Sequence, residues 1–116
     1  MDKIYMVYKG RYEPMGLEYE YSEDILVAIY PLEDMARHHL ELWVSKMLPV
    51  IDNWNDEESR WLKERVEDGA DEEYEYNPWI PMPNNKDGRR RAFVRDDEEV
   101  YCYYTEHEVL QEVRLE

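Results

Sequence analysis

The chain has 116 residues, of which 14 are basic and 29 are acidic, and its net charge is −15. Apolar residues make up 43% of the chain and aromatic residues 14%, so its composition is that of a folded domain rather than a disordered polyelectrolyte. The length suits a single core, and we expect one domain over residues 1–116. The negative charge disfavours direct contact with nucleic acid or an anionic membrane and favours association with basic surfaces.

The sequence contains neither a candidate membrane span nor a secretion signal. No apolar run approaches the ~18 residues of a spanning helix, and the first residues lack a basic segment followed by an apolar one. Cys102 is the single cysteine, which excludes an internal disulfide and fits a reducing compartment. We therefore expect a cytoplasmic protein, located in the host cytoplasm if it is viral.

The first 30 residues predict three strands. Residues 3–10 alternate between the two faces of a strand that ends at Gly10. Residues 17–21 alternate more strictly, as in a half-buried or edge strand. Residues 24–30, DILVAIY, form a continuous apolar run rich in β-branched side chains, which is typical of a central strand covered on both faces.

The period then changes to that of a helix. Apolar residues recur at spacings of three and four from Leu32 to Met47, and Pro31 suits the position before a first helical turn. We expect Pro49 to end or kink this helix. A second, shorter helix is predicted from about Asn55 or Asp56 until Gly69 stops it.

The last third predicts a long loop followed by a hairpin. Residues 68–88 are acidic, aromatic and proline-rich, and we interpret them as loop. Strands near residues 90–95 and 98–105 would be joined around Asp96 and Asp97. The tail, 107–115, fits either a further strand or a short helix. Together these elements predict an α+β fold, with an antiparallel sheet of about four to five strands and one long and one shorter helix packed on one face.

Four short segments carry a resemblance to known domains: IYMVY (4–8), RYE (11–13), ILVAIY (25–30) and LEDMA (32–36). In these segments the chain resembles a loosely defined group of small uncharacterised α+β domains, which implies a strand–strand–helix order. In size, acidity and aromatic content the whole chain is similar to phage-encoded inhibitors of host defence. These include anti-CRISPR and anti-restriction proteins that mimic nucleic acid.

Metal binding and catalysis are weakly indicated. His38 and His39 are adjacent and would point about 100° apart on a helix, so they are poorly placed to share an ion. An EF-hand-like register beginning at Asn53 would put Glu58 where the loop needs glycine. Acidic neighbours would raise the pKa of Cys102 rather than activate it. No nucleophile or phosphate-loop motif is present. We therefore expect no enzymatic activity and no metal or cofactor.

A basic run interrupts the acidic chain at residues 86–95, where five basic residues against one acid give +4. This run could contact phosphate, but the surrounding negative charge favours two other interpretations. It could form internal salt bridges with the acidic helix, or it could contact a second subunit of a homodimer.

The segment 52–76 is the most acidic, with eleven acids against three basic residues, a net charge of −8. Aromatic residues and prolines adjoin it, and rigid aromatic side chains are favoured at protein interfaces because little entropy is lost on binding. Trp79 fits both an interface anchor and a core residue. The candidate contact residues are Asp56, Glu57, Glu58, Glu64, Asp71, Glu72, Glu73, Tyr74, Glu75, Tyr76, Trp79, Asp96, Asp97, Glu98 and Glu99.

The sequence thus favours a non-enzymatic inhibitor, encoded by a phage or mobile element, that binds a basic protein surface. Its partner would be a nucleic-acid-binding protein of host defence, with carboxylates standing in for backbone phosphates. Three alternatives remain open at this point. The first is an immunity protein against a nuclease toxin, and the second is a small carboxylate-based, metal-dependent enzyme or regulator. The third is an oligomeric structural protein in which residues 89–91 of one subunit contact the acidic helix of another.

Overall fold

The computed structural model describes residues 2–14, 20–69, 76–83 and 85–109, with backbone alone at residues 20 and 21. The strands are β1 (Lys3–Pro14), β2 (Glu20–Tyr30), β3 (Ile80–Pro81), β4 (Arg90–Arg95) and β5 (Glu98–Glu108), and the helix is α1 (Glu33–Glu67). All paired strands are antiparallel, in the order β2-β1-β5-β4-β3. The predicted α+β class is confirmed. Within the described residues, no helix is long and apolar enough to cross a membrane.

The β4–β5 hairpin agrees closely with its prediction. Arg95 pairs with Glu98, so Asp96 and Asp97 form a two-residue connection. Asp96 has a φ of 53°, a left-handed conformation that aspartate tolerates better than most residues. The alternating pattern therefore located both strands and their turn. The earlier loop prediction is interrupted by β3, whose two residues pair with Val94 and Phe93.

The prediction for β2 is wrong in two respects. Two strands were expected, but residues 20–30 form a single one, and residues 17–19 lie outside the described part. Among the described strands, β2 also lies at an edge of the sheet rather than in its centre. Its apolar side chains are 37–52% exposed at Ile25, Leu26, Val27 and Ile29. The apolar run shows only that these side chains are hydrophobic. The order of strands in the sheet depends on pairing between distant segments, which the local sequence does not reveal.

The helical region contains one helix of 35 residues where two were predicted. Pro49 lies inside it and removes the N–H that would bond to the Ser45 carbonyl. The helix continues because residues on both sides of the proline, Met47 and Ile51, pack against the same cluster on the sheet. Its length, roughly 52 Å at 1.5 Å per residue, lets it span a five-stranded sheet about 20 Å wide on a diagonal.

The core lies between α1 and one face of the sheet, in two clusters. The first joins Ala36 and Leu40 of the helix to the central strands β1 and β5. The second joins Ile51 to Trp79 and Phe93. Trp43 packs against both clusters and lies 5.7 Å from Phe93 between ring centroids. The core is therefore continuous along the first half of the helix.

The opposite face of the sheet carries tyrosines arranged around one carboxylate. Tyr101 and Tyr103 both donate hydrogen bonds to Asp24, the latter over 2.9 Å. Burial, followed by the bond to Asp24, raises the pKa of Tyr103 to about 12, so its hydroxyl stays protonated and donates. Gly10 pairs with Tyr101, and a Cβ at position 10 would lie 2.8 Å from the Tyr101 ring. The glycine therefore leaves the space through which Tyr101 reaches β2.

Replacement of Gly10 by alanine tests this arrangement. We expect Gly10→Ala to lower the free energy of unfolding by about 1–3 kcal/mol, because the added methyl group meets the Tyr101 ring, the Asp24 carboxylate and the Glu23 carbonyl. Gly69→Ala is the control, since Gly69 has open space around it and only its φ of 78° opposes alanine. Urea unfolding would contradict the account if Gly10→Ala cost no more than the control.

The proline inside α1 yields a second prediction. Pro49→Ala restores a backbone N–H to the helix, and we expect it to raise the free energy of unfolding by about 1–3 kcal/mol. Pro49→Gly, the matched control, restores the same N–H but adds chain entropy, so its gain should be smaller by about 1 kcal/mol. Chemical denaturation measures both. A loss of stability in Pro49→Ala would mean that the proline is needed for the helix to follow the sheet.

Candidate functional site: an acidic cleft beside the hairpin

The arginines of β4 and the residue before it form ion pairs within the chain. Arg89 contacts Glu33 at 3.0 Å and Glu106 at 3.7 Å. Arg91 contacts Glu41 at 2.6 Å. The first interpretation of the basic run is thus supported, because these pairs tie the edge of the sheet to α1.

The two remaining arginines of β4 are paired on opposite faces of the sheet. Arg90 pairs with Glu99 on the tyrosine face and lies 4.9 Å above the Tyr101 ring. Arg95 pairs with Glu58 of α1 on the helix face, and with Glu98 at 3.9 Å. Most of the positive charge in residues 86–95 is therefore neutralised internally, and it does not offset the acids elsewhere on the surface.

A cleft of about 650 Å³ opens where the second half of α1 passes the hairpin. We call it the acidic cleft. It is lined by three tryptophans, three glutamates and one arginine: Trp54, Trp61, Trp79, Glu57, Glu58, Glu98 and Arg95. Its helical residues recur at three- and four-residue spacing and so share one side of α1.

The aromatic rings of the acidic cleft are packed against one another and against cations. Trp54 lies 5.6 Å from Trp79 between ring centroids, at an interplanar angle of 51°. The guanidinium of Arg95 lies 5.7 Å from the centre of the Trp79 ring, and that of Arg65 lies 4.8 Å from the Trp61 ring. A surface of carboxylates and indole faces suits a cationic side chain, since both attract positive charge.

Asn55 holds the segment that contains Trp79 against α1 through hydrogen bonds. Its side-chain amide donates to the Trp79 carbonyl over 3.0 Å and accepts the Trp79 N–H over 2.8 Å, much as a neighbouring strand would. The Tyr76 hydroxyl donates to the Asn55 carbonyl over 3.2 Å. Trp79 itself is 9% exposed and belongs to the core, so only a small part of its surface is open to the cleft.

Four of the candidate contact residues meet in the cleft: Glu57, Glu58, Trp79 and Glu98. The other described candidates do not line it. Asp56 and Glu64 are exposed on α1, Tyr76 is 41% exposed, and Asp96 accepts a hydrogen bond from Asn77 at the hairpin turn beside exposed Asp97. Glu99 lies on the tyrosine face with Arg90. Residues 71–75, which include Asp71, Glu72, Glu73, Tyr74 and Glu75, lie outside the described residues.

Three acids in the cleft or beside its residues in sequence form what we call the rim: Glu57 lines the cleft, Asp56 precedes Glu57 on α1, and Asp97 precedes Glu98 at the hairpin turn. Among the described residues, no ion pair involves Asp56, Glu57 or Asp97. Glu58 and Glu98, in contrast, are engaged by Arg95. Arg95 therefore offsets one of the two charges of Glu58 and Glu98, and the cleft together with its rim stays negative.

Sequence reasoning missed Trp54, Asn55 and Trp61. Trp54 is 37% and Trp61 46% exposed, although large aromatic residues on a helix more commonly pack into the core. The signal was present in the helical phase. If the stripe through Leu40 and Ile51 is continued across Pro49 at 3.6 residues per turn, residues 55, 58 and 62 face inward and both tryptophans lie to one side.

The histidine and calcium hypotheses find no support in the arrangement of side chains. Asn53–Glu64 lies within α1, so it does not form the loop of an EF-hand. No group of three or more His, Cys, Asp or Glu residues in the described part could hold an ion. His39 Nδ1 lies 2.7 Å from the Tyr30 hydroxyl, and burial, followed by the charge of Lys46, lowers its pKa.

Cys102 is fully buried between β1 and β4. Its pKa is raised to about 12, in the predicted direction, but the cause is burial rather than acidic neighbours. The thiol is therefore protonated at neutral pH and poorly suited to be a nucleophile.

Comparisons with known proteins add no family to this description: no protein-family model matches the chain, and no significant match was found among curated proteins or solved structures.

The role of Asn55 can be tested directly. Asn55→Ala leaves the N–H and carbonyl of Trp79 without their partner, and we expect a loss of about 1–3 kcal/mol in unfolding free energy. Asn55→Asp keeps the acceptor for the Trp79 N–H and loses only the donor, so its unfolding free energy should lie between those of the wild type and Asn55→Ala. Tryptophan fluorescence during urea unfolding measures the series. Equal stability of all three proteins would contradict the assignment.

Proposed function

We propose that this protein acts without chemistry, as an inhibitor that binds a basic protein surface through the acidic cleft and its rim. The favoured partner is a host-defence protein whose nucleic-acid-binding surface is occluded, as in anti-CRISPR or anti-restriction inhibition. Encoded by a phage or mobile element, the inhibitor would work in the host cytoplasm. One observation carries the proposal. The arginines of β4 form ion pairs within the chain, whereas Asp56, Glu57 and Asp97 form no ion pair among the described residues.

Charge supports the choice of a basic partner. With a net charge of −15, the chain attracts cationic surfaces and repels nucleic acid itself. The rim acids extend this attraction to the place where aromatic rings are exposed. Carboxylates on α1 and at the hairpin turn would then take the positions of backbone phosphates on the partner.

Specificity would come from the aromatic side chains, since charge alone attracts many basic proteins. Trp54 and Trp61 offer indole faces on either side of Glu57 along α1, and Tyr76 adds a partly exposed ring near Asn55. An arginine or lysine of the partner that enters the cleft would contact an indole face and pair with Glu57 at once. Arg95 already makes this kind of contact with Trp79 and Glu58 inside the protein.

Charge reversal at the rim tests the proposed surface. The protein is immobilised, partners are captured from a bacterial lysate, and the affinity of the purified partner is measured for wild type and for Asp56→Lys plus Glu57→Lys. We expect the double variant to bind at least about tenfold more weakly, because attraction at the contact becomes repulsion. Wild-type affinity should also fall as salt rises.

The matched control is Asp2→Lys plus Asp34→Lys, which changes the net charge equally at exposed positions away from the cleft. It should keep affinity within about threefold of wild type, since it alters only the long-range field. Equal weakening by the two double variants would refute the cleft as the contact. A captured partner that does not bind nucleic acid would refute the inhibitor proposal.

A further inference from the structure

The outer edge of the sheet carries an apolar surface that is separate from the acidic cleft. Four β2 side chains contribute to it, with Ile29 the most exposed at 52%. Beside Tyr30, the flank of α1 adds Met35 and Leu42, which line a cavity of about 310 Å³ together with Asp34, His38 and His39. We call this surface the apolar edge: Ile25, Leu26, Val27, Ile29, Met35 and Leu42. Among the described residues, no strand pairs with the outer side of β2.

The sequence and the position of β2 disagree. The run ILVAI is typical of a strand covered on both faces, and natural edge strands are commonly protected by charge, proline or brevity. β2 has 11 residues and no charged side chain from Ile25 to Tyr30. A covering partner would give β2 the central position that its composition predicts.

The distribution of charge favours a second copy of this chain over a basic protein. The acids of β2, such as Glu23 and Asp24, precede the apolar run, and Asp34 is the one acid among the described residues that line the cavity on the flank of α1. The apolar edge therefore carries few carboxylates that would attract a cationic partner. In an antiparallel arrangement of two β2 strands, the acidic end of each lies toward the apolar end of the other. The like charges are then kept apart, beyond the ~8 Å over which physiological salt allows them to interact.

A twofold axis perpendicular to the sheet also places both helices on the same face. The flanks that carry Met35 and Leu42 would then turn toward each other across the axis. The six side chains of the apolar edge are 37–52% exposed, and those of β2 lie on both faces of the strand, so two copies would pack side chains above and below the paired edges. The register shift opposite Val7 and Tyr8 leaves Val27 out of the ladder, so side-chain packing rather than continuous strand pairing would hold the copies.

From these observations we propose that the protein forms a twofold homodimer through the apolar edge. The dimer is independent of the proposed inhibitor function and leaves the acidic cleft of each copy open. It also has the opposite dependence on salt. Two chains of charge −15 repel each other, so screening should strengthen an apolar dimer, whereas it weakens binding to a basic partner.

Sedimentation equilibrium of the full chain between about 1 and 200 µM tests the proposal, at about 0.05 M and 0.5 M sodium chloride. We expect a monomer–dimer equilibrium that shifts toward dimer at high salt. Ile29→Lys on the strand and Met35→Lys on the helix should each weaken dimerisation at least about tenfold. Val66→Lys is the control, because Val66 is 56% exposed near the end of α1, far along the chain from this surface, and makes the same change of charge. Thermal unfolding of each variant checks that it is folded.

Each other outcome overturns the proposal. A wild-type protein that is monomeric throughout has no second copy on this surface. A dimer that survives both lysine variants uses a different surface, and a dimer that dissociates as salt rises is held by ion pairs. None of these results bears on partner binding, which the rim variants test separately.

Discussion

The contact between α1 and the helix-facing side of β4 is the interaction on which the rest of the structure depends. Alternation along β4 places Arg91, Phe93 and Arg95 on that face, and Phe93 is 1% exposed against Ile51. Burial of a phenylalanine contributes about 1.5–3 kcal/mol, whereas each partly exposed ion pair beside it contributes about 0–1 kcal/mol. Phe93 therefore holds the helix, and the arginines determine which acids are neutralised.

This division of roles has a consequence for the surface. The arginines of β4 form ion pairs with Glu41, Glu58 and Glu99. The basic run in the sequence therefore stabilises the fold and does not form an exposed positive patch. Of the acids that remain unpaired among the described residues, Glu57 lines the acidic cleft together with the exposed Trp54 and Trp61. The apolar edge lies on the other side of α1, with few charges. One helix thus separates a surface suited to a cationic partner from a surface suited to a second copy.

Local patterns predicted the features that depend on neighbouring residues. The β4–β5 hairpin was located except for the last three residues of β5, because its two strands and the connection at Asp96 are continuous in sequence. The helix was divided in two because proline is costly inside a helix, and the sequence does not reveal that Ile51 and Met47 pack on the same cluster. β2 was predicted to be a central strand because its side chains are apolar, but composition does not determine the order of strands in a sheet. Of the candidate site, the acids were found from charge, while Asn55 and Trp54 depend on contacts with Trp79, 24 and 25 residues away.

The central claim is that the acidic cleft occupies a surface that otherwise binds nucleic acid. The most direct measurement is fluorescence anisotropy of a labelled DNA or RNA bound to the captured partner, titrated with this protein. The account predicts that the nucleic acid is released as one equivalent is added, and that the Asp56→Lys plus Glu57→Lys variant fails to release it. A stable ternary complex, in which the partner holds both this protein and its nucleic acid, would contradict the claim.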